Sequence, residues 1–122
     1  GEFVTGYVKN GAALLFVVTN DGWWGDTPGY RQHAGFSSLR AIETRRSIGR
    51  SANTGISCLI NQRGEVIQKL GWWKRGALKG TLNANDTLTF YVRNGDYIGR
   101  VAAFFSLLIV LFFLTRLVVN RR

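Results

Sequence analysis

An uncharged apolar run near the end of the chain constrains its folding more than any other feature of the sequence. Residues 101–115 carry no charge, and the longer run 98–119 includes only Arg100 and Arg116, near its ends. As a helix the longer run would measure about 33 Å, enough for the ~30 Å hydrocarbon core of a bilayer. A buried helix of a soluble domain is the alternative, but the run is apolar on every helical face and has no polar stripe to meet water. We therefore predict a transmembrane helix over residues 98–119.

The distribution of positive charge predicts how this helix is oriented. Three basic residues stand at its C-terminal end: Arg116, Arg121 and Arg122. Because cytoplasmic flanks carry an excess of basic residues, we expect residues 120–122 to form a cytoplasmic tail. Residues 1–97 would then form a periplasmic part on the inner (cytoplasmic) membrane. Arg93 and Arg100, at the opposite end, reduce the asymmetry.

The composition excludes several other functions. The 122 residues carry a net charge of +9, which suits anionic lipid or nucleic acid about equally. The basic residues are scattered, however, and no RNA- or DNA-binding motif is present, so a nucleic-acid partner is not expected. A single cysteine, Cys58, excludes an internal disulfide and a multi-cysteine metal site.

The first 97 residues predict a layered α/β (α+β) fold. Residues 2–10 read as the end of an amphipathic helix, and the apolar, β-branched run 13–19 is typical of a strand buried on both faces. A loop over 20–30, rich in glycine and aromatic residues, leads to a helix over 32–46. Turn signals then separate five predicted strands: 48–52, 56–60, 65–70, 77–82 and 87–92.

The predicted helix over 32–46 has two distinguishable faces. A narrow apolar stripe is formed by Phe36, Leu39 and Ile42. Another face carries Arg40, Glu43 and Arg46, which predicts a local ion-pair network.

Two observations lead us to expect a piece of a longer protein. Gly1-Glu2-Phe3 lacks an initiator methionine and a signal peptide, and lies inside the first predicted helix. The strand over 13–19 also needs neighbours on both sides, and only some are present.

Four short motifs follow one another through the chain. They are Asn20-Asp21-Gly22-Trp23-Trp24-Gly25-Asp26, Gln32-His33, Arg40-Ala41-Ile42-Glu43 and Arg50-Ser51-Ala52-Asn53-Thr54-Gly55-Ile56-Ser57. Together they resemble the motif series of apolipoprotein N-acyltransferases. The last two are shared with nitrilase-like amidases, whereas the tryptophan motif is closer to the acyltransferases. Residues 91–96, before the apolar run, are similar to the usual ending of the family.

This resemblance implies a fold and a reaction. The chain would be the C-terminal part of a nitrilase-like αββα sandwich, followed by one transmembrane helix. The family transfers an acyl chain from a phospholipid to the N-terminal diacylglyceryl-cysteine of apolipoproteins, through a cysteine thioester formed by a Glu-Lys-Cys triad. None of the triad matches a position in this sequence, so no catalytic residue is assigned and the chain alone should be inactive. No metal or other cofactor is implied.

Two alternatives remain open at this point. One is a membrane-anchored nitrilase-like amidase that hydrolyses a small C–N bond. The other is a non-catalytic, membrane-anchored interaction module.

Trp23 and Trp24 are the best functional candidates in the chain. Two adjacent tryptophans in a glycine-rich loop are difficult to bury together, and exposed indoles would suit a membrane interface or an acyl-chain groove. Packing of one of them in the core is the alternative. Asn20, Asp21 and Asn53 would hold the active-site loops through side-chain to backbone hydrogen bonds.

The remaining candidates have plainer interpretations. Cys58 alternates with Ile56 and Ile60, which favours a packing role over a nucleophile. For His33 we expect a structural role where loop meets helix. Arg46 and Arg50 would reach a phospholipid headgroup if they are not in ion pairs.

Overall fold

A mixed four-stranded sheet and four helices make up the computed structural model, which describes residues 1–120. Arg121 and Arg122 of the predicted cytoplasmic tail lie outside the described residues. The elements are α1 (Glu2–Lys9), β1 (Leu14–Asn20), a 3-10 turn (Gly22–Trp24), α2 (Pro28–Thr44), β2 (Ser47–Asn53), β3 (Ser57–Ile60), β4 (Val66–Leu70), α3 (Phe90–Asn94) and α4 (Tyr97–Val119).

The strands lie in the order β1-β2-β3-β4. β1 and β2 are parallel and are joined through α2, while β2, β3 and β4 are antiparallel neighbours. A parallel pair needs such a crossover, whereas antiparallel strands need only short turns. The carboxyl ends of β1 and β2 therefore lie side by side, with Asn20 opposite Asn53. The predicted layered α/β class with a C-terminal apolar helix is confirmed.

The core lies between α2 and one face of the sheet. Its buried members are Ala41, Ile48, Cys58 and Ile60, and Leu15, Val17 and Ile56 pack against them. The predicted alternation is confirmed: Ile56, which immediately precedes β3, lies on the core side together with Cys58 and Ile60 of that strand. The expectation that β1 is buried on both faces is wrong, because α2 covers only one: Phe16 and Val18 are 73% and 85% exposed.

Helix α2 begins earlier than predicted and buries a different face. Thr27 caps it by accepting a hydrogen bond from the Gly29 amide, and Pro28 occupies the first turn, where a missing N–H costs nothing. The residues of the apolar stripe remain largely exposed: Phe36, Leu39 and Ile42. The buried positions are instead Tyr30, Ser37, Ala41 and Thr44. Three of these are small, which allows close packing of helix against sheet.

The predicted strands over 77–82 and 87–92 are wrong. Residues 71–89 contain no helix or strand, and α3 replaces the end of the second prediction. The Thr89 hydroxyl accepts a hydrogen bond from a backbone amide of the first turn of α3, and Gly95 ends the helix at φ 69°. These capping residues override the strand preference of the β-branched and aromatic side chains.

Helix α4 is 23 residues long, apolar and exposed along its length, and it is the one helix of residues 1–120 that is long and apolar enough to cross a membrane. Its start is tied to α1 by the Glu2 carboxylate, which accepts hydrogen bonds from the Asp96 amide at 2.9 Å and from Arg100 at 2.7 Å. Those two donors hold the pKa of Glu2 below its ordinary value.

Candidate functional site

Four polar side chains from three elements form a buried cluster at the carboxyl end of β1. Asp21 follows β1, His33 and Ser37 lie one turn apart on α2, and Arg50 lies on β2. We call these four residues the Asp21 cluster. The Asp21 and Arg50 side chains are 0% and 1% exposed, and their closest N–O distance is 2.9 Å.

Arg50 uses each of its nitrogens within this cluster or beside it. Nη2 donates to both Asp21 oxygens, Nη1 donates to the Ser37 hydroxyl at 3.2 Å, and Nε donates to the Ile56 carbonyl at 3.1 Å. A buried ion pair of this kind repays its desolvation only when the remaining polar atoms are also bonded. The cluster meets that condition, so it fixes the loop after β1 onto α2 and β2.

Gly55 makes the burial of Asp21 possible. A Cβ atom at this position would overlap the Asp21 carboxylate. In addition, the Asp21 amide donates to the Asn53 carbonyl at 3.2 Å, which joins the loop to the turn between β2 and β3. The segment Asn53-Thr54-Gly55-Ile56-Ser57, the Asn-x-Gly-x-Ser motif, thus supplies the surface against which the carboxylate packs.

The tip of the same loop is exposed to solvent. We call residues 20–27 the tryptophan loop. Its 3-10 turn leaves Trp23 85% and Trp24 47% exposed, so neither is in the core. The Asn20 side chain accepts a hydrogen bond from the Gly22 amide at 3.0 Å, a side-chain to backbone bond within the loop.

His33 lies at the solvent-exposed edge of the Asp21 cluster, whereas its other three members are buried. Its Nδ1 is 2.8 Å from Asp21 Oδ1, and its side chain is 38% exposed. Its Nδ1 also lies 3.2 Å from Arg50 Nη2, so this nitrogen donates to the carboxylate in one tautomer and accepts from the guanidinium in the other. His33 lines a cavity of about 410 Å³ together with Val17, Arg50 and Gly1. The contact between His33 and Asp21 holds the loop after β1 against α2. It also fixes the imidazole ring, whose Nε2 is the nitrogen left for a ligand.

The other candidates from the sequence lie apart from the cluster or contribute through the backbone. Arg46 is buried and donates to the carbonyls of Ala12, Thr44 and Thr87 at 2.7–3.2 Å. A headgroup contact by Arg46 does not fit this geometry, and neither does the predicted ion pair with Glu43. Glu43 instead contacts Arg40 at 2.6 Å. Asn53 meets the tryptophan loop through its backbone carbonyl.

The environment of Cys58 favours a packing role over a nucleophile. The residue lies 2% exposed in the core, and burial raises the pKa of its thiol, although the positive charge of Arg50 acts in the opposite direction. No group of three or more His, Cys, Asp or Glu side chains suited to a metal ion occurs in residues 1–120.

The sequence alone did not predict that His33, Ser37 and Arg50 meet around Asp21. The spacing of His33 and Ser37, four residues apart, was the available signal, because two polar side chains at this spacing share one helix face.

Comparison with known proteins places these motifs in a family. Residues 1–90 match the family model described as carbon-nitrogen hydrolase. Apolipoprotein N-acyltransferases from Chlorobaculum tepidum, Agrobacterium fabrum and Thermotoga maritima are 37%, 45% and 41% identical to this chain over 80%, 74% and 79% of its length.

The chain spans less than a fifth of each of these relatives, 17–19% of their length. The match nevertheless includes the tryptophan loop, α2 and the Asn-x-Gly-x-Ser turn, which together build the Asp21 cluster. On this agreement of sequence and geometry, the chain belongs to the carbon-nitrogen hydrolase family.

Proposed function

We propose that this chain is the C-terminal part of an apolipoprotein N-acyltransferase, which transfers an acyl chain from a phospholipid to the N-terminal diacylglyceryl-cysteine of lipoproteins. The observation that carries the proposal is the tryptophan loop: two exposed indoles on a buried ion pair, at the carboxyl end of a parallel strand pair. Open α/β sheets bind their ligands at this end. The type of reaction is inferred from the similar proteins, which are named apolipoprotein N-acyltransferases.

The tryptophan loop suits a lipid substrate. Both proposed substrates carry acyl chains that lie in a bilayer, so the site must open toward lipid. Indole rings combine a large apolar surface with one N–H donor and favour the membrane interface. The base of the loop is held by Arg50, so the tip can meet an acyl chain without displacing the fold.

The catalytic groups of the proposed reaction are separate from the residues described above. The mechanism needs a thiolate nucleophile, a general base and a cation for the oxyanion. Cys58 is buried with a raised pKa and cannot supply the thiolate. We propose that a Glu-Lys-Cys triad lies elsewhere in the protein, and that this chain contributes loop positioning and lipid contact.

The proposed location follows from α4 and its flanks. The helix would cross the inner membrane, with residues 1–97 in the periplasm and residues 120–122 in the cytoplasm. A phospholipid donor and an apolipoprotein acceptor would then meet the tryptophan loop on the periplasmic side. A reporter fused after Arg122 should be active only in the cytoplasm, and periplasmic activity there would reverse the orientation.

Complementation tests the reaction directly. The complete reading frame that encodes this chain would be expressed in a bacterium depleted of its own apolipoprotein N-acyltransferase. Mass spectrometry of a lipoprotein N-terminal peptide should then show a third acyl chain, on the α-amino group. Retention of two chains, combined with hydrolysis of small amides by the purified protein, would favour the amidase. Retention of two chains with no turnover of either substrate would favour the interaction module.

A further inference from the structure

A second aromatic turn lies beside the tryptophan loop. Residues 71–75 (Gly-Trp-Trp-Lys-Arg) follow β4, and the Trp73 amide donates to the Thr54 carbonyl at 2.9 Å. Since the neighbouring Asn53 carbonyl accepts from the Asp21 amide, the turn between β2 and β3 connects both loops. We call residues 71–75 the second aromatic turn.

The two tryptophans of this turn lie in opposite environments. Trp72 is half-buried and stacks on Tyr30, with ring centroids 4.3 Å apart. Trp73 is 71% exposed and has a φ of 57°, in the left-handed region that a bulky residue rarely adopts. Trp72 therefore anchors the turn, and the left-handed backbone conformation of Trp73 directs its indole ring outward.

Positive charge surrounds the exposed indole. Lys74 and Arg75 follow directly and are both exposed. The two basic residues and Trp73 line a cavity of about 470 Å³ together with the polar residues Ser51, Asn53, Thr54 and Ser57. An exposed aromatic ring, adjacent cations and hydroxyl donors match the chemistry of a bilayer surface: an apolar boundary overlaid by phosphate groups.

The start of α4 lies beside the sheet. Gly1, at the N-terminus of α1, lines one cavity together with Val17 and Arg50, which are the middle residues of β1 and β2. Glu2 in turn binds Arg100 in the first turn of α4. A bilayer crossed by α4 would therefore begin beside the sheet that carries both aromatic loops.

From these observations we propose that the second aromatic turn is a contact with the membrane surface, in which Trp73 enters the lipid–water interface and Lys74 and Arg75 bind phosphate groups of anionic phospholipids. The proposal requires that α4 crosses the membrane. It does not require the acyl-transfer reaction, so either can fail without the other.

Fluorescence quenching by brominated lipids tests the contact. The complete protein would be reconstituted in vesicles of equal parts phosphatidylcholine and phosphatidylglycerol, with bromine on the acyl chains. The emission lost in Trp73→Phe is the emission of Trp73, and it should be strongly quenched by the brominated lipid. The matched control is Trp72→Phe, whose lost emission should be quenched much less, because that half-buried ring stacks on Tyr30. An unquenched Trp73 component would overturn the proposal.

A charge-reversal variant tests the role of the anionic lipid and leaves Trp73 in place. In Lys74→Glu/Arg75→Glu, quenching of the Trp73 component should fall in the mixed vesicles and change little in vesicles of phosphatidylcholine alone. Equal quenching of this variant and the parent protein in both lipids would overturn the phosphate contact. Because the variant keeps all four tryptophans of this chain, the fall in quenching is also measurable in the total tryptophan emission, so this arm decides the question if Trp73→Phe does not fold.

Discussion

Asp21 and Trp23 are two residues apart in one loop and lie in opposite environments. The Asp21 side chain is fully buried and bonded to Arg50 and His33, whereas Trp23 is 85% exposed. The loop thus has a rigid base and an accessible tip. This difference indicates that changes at the base should act on folding stability and changes at the tip on lipid recognition.

Removing the carboxylate at the base should have the largest effect on stability. Asp21→Ala leaves the Arg50 guanidinium buried without its partner, which should lower the free energy of unfolding by about 3–5 kcal/mol. Denaturant unfolding of the complete protein in detergent measures this loss. Asp26→Ala, at an exposed position in the same loop, is the control and should stay within about 0.5 kcal/mol of the parent. Equal losses in the two variants would show that the base is not the rigid part.

A methyl group at Gly55 should disturb the base from the other side. Gly55→Ala places a Cβ atom against the Asp21 carboxylate and should lower the free energy of unfolding by about 1–3 kcal/mol. Gly35→Ala is the matched control, because no atom outside its own helix lies within 4 Å of a Cβ there. That change should stabilise α2 by roughly 0.5–1 kcal/mol. Thermal unfolding distinguishes the two, and a stabilising Gly55→Ala would contradict the packing described here.

A substitution at Cys58 shows how much stability is lost when a buried side chain without a charge is shortened. Cys58 is as deeply buried as Asp21 but packs against apolar side chains, so Cys58→Ala should lower the free energy of unfolding by only about 1 kcal/mol. Acyl transfer should remain nearly intact. Turnover that collapses while protein levels stay normal would identify Cys58 as a nucleophile and refute its role in packing.

The tip should show the smallest effect on stability and a clear effect on transfer. Trp23→Ala removes an exposed ring, so the free energy of unfolding should change by no more than about 0.5 kcal/mol. Transfer from phospholipid should nevertheless fall, because the indole would no longer meet the acyl chain. Trp24→Ala should act in the same direction with a larger loss of stability, since its ring also packs over Gly29. The measurement is acyl transfer beside thermal unfolding for both variants. Unchanged transfer in both would remove the tip from the site.

Local patterns predicted most of the sheet and the exposed tip. The apolar run before Asn20 and the turn residues around Asn53 and Gly64 specify β1 and the two hairpins, because these depend on neighbours in sequence. The Arg40–Glu43 contact was likewise predictable, since it joins residues one helical turn apart.

Long-range pairing was not predictable in this way. Asp21 and Arg50 are 29 residues apart, and nothing in either local sequence specifies the partner. Arg46 was misassigned for a related reason. Arg45 adopts a left-handed conformation with φ 52° at the end of α2, so the chain turns away and Arg46 leaves the helical face of Glu43.

Strand β1 has a consequence for how this chain would behave by itself in solution. It pairs with β2 on one side, and among residues 1–120 no strand lies along its other edge. Its seven residues, Leu-Leu-Phe-Val-Val-Thr-Asn, contain neither proline nor a charged side chain, the features that ordinarily protect a bare edge. Such an edge can accept any extended peptide through backbone hydrogen bonds. At high protein concentration this chain on its own should therefore associate edge to edge. Dilution should reverse this association more readily than a change of detergent.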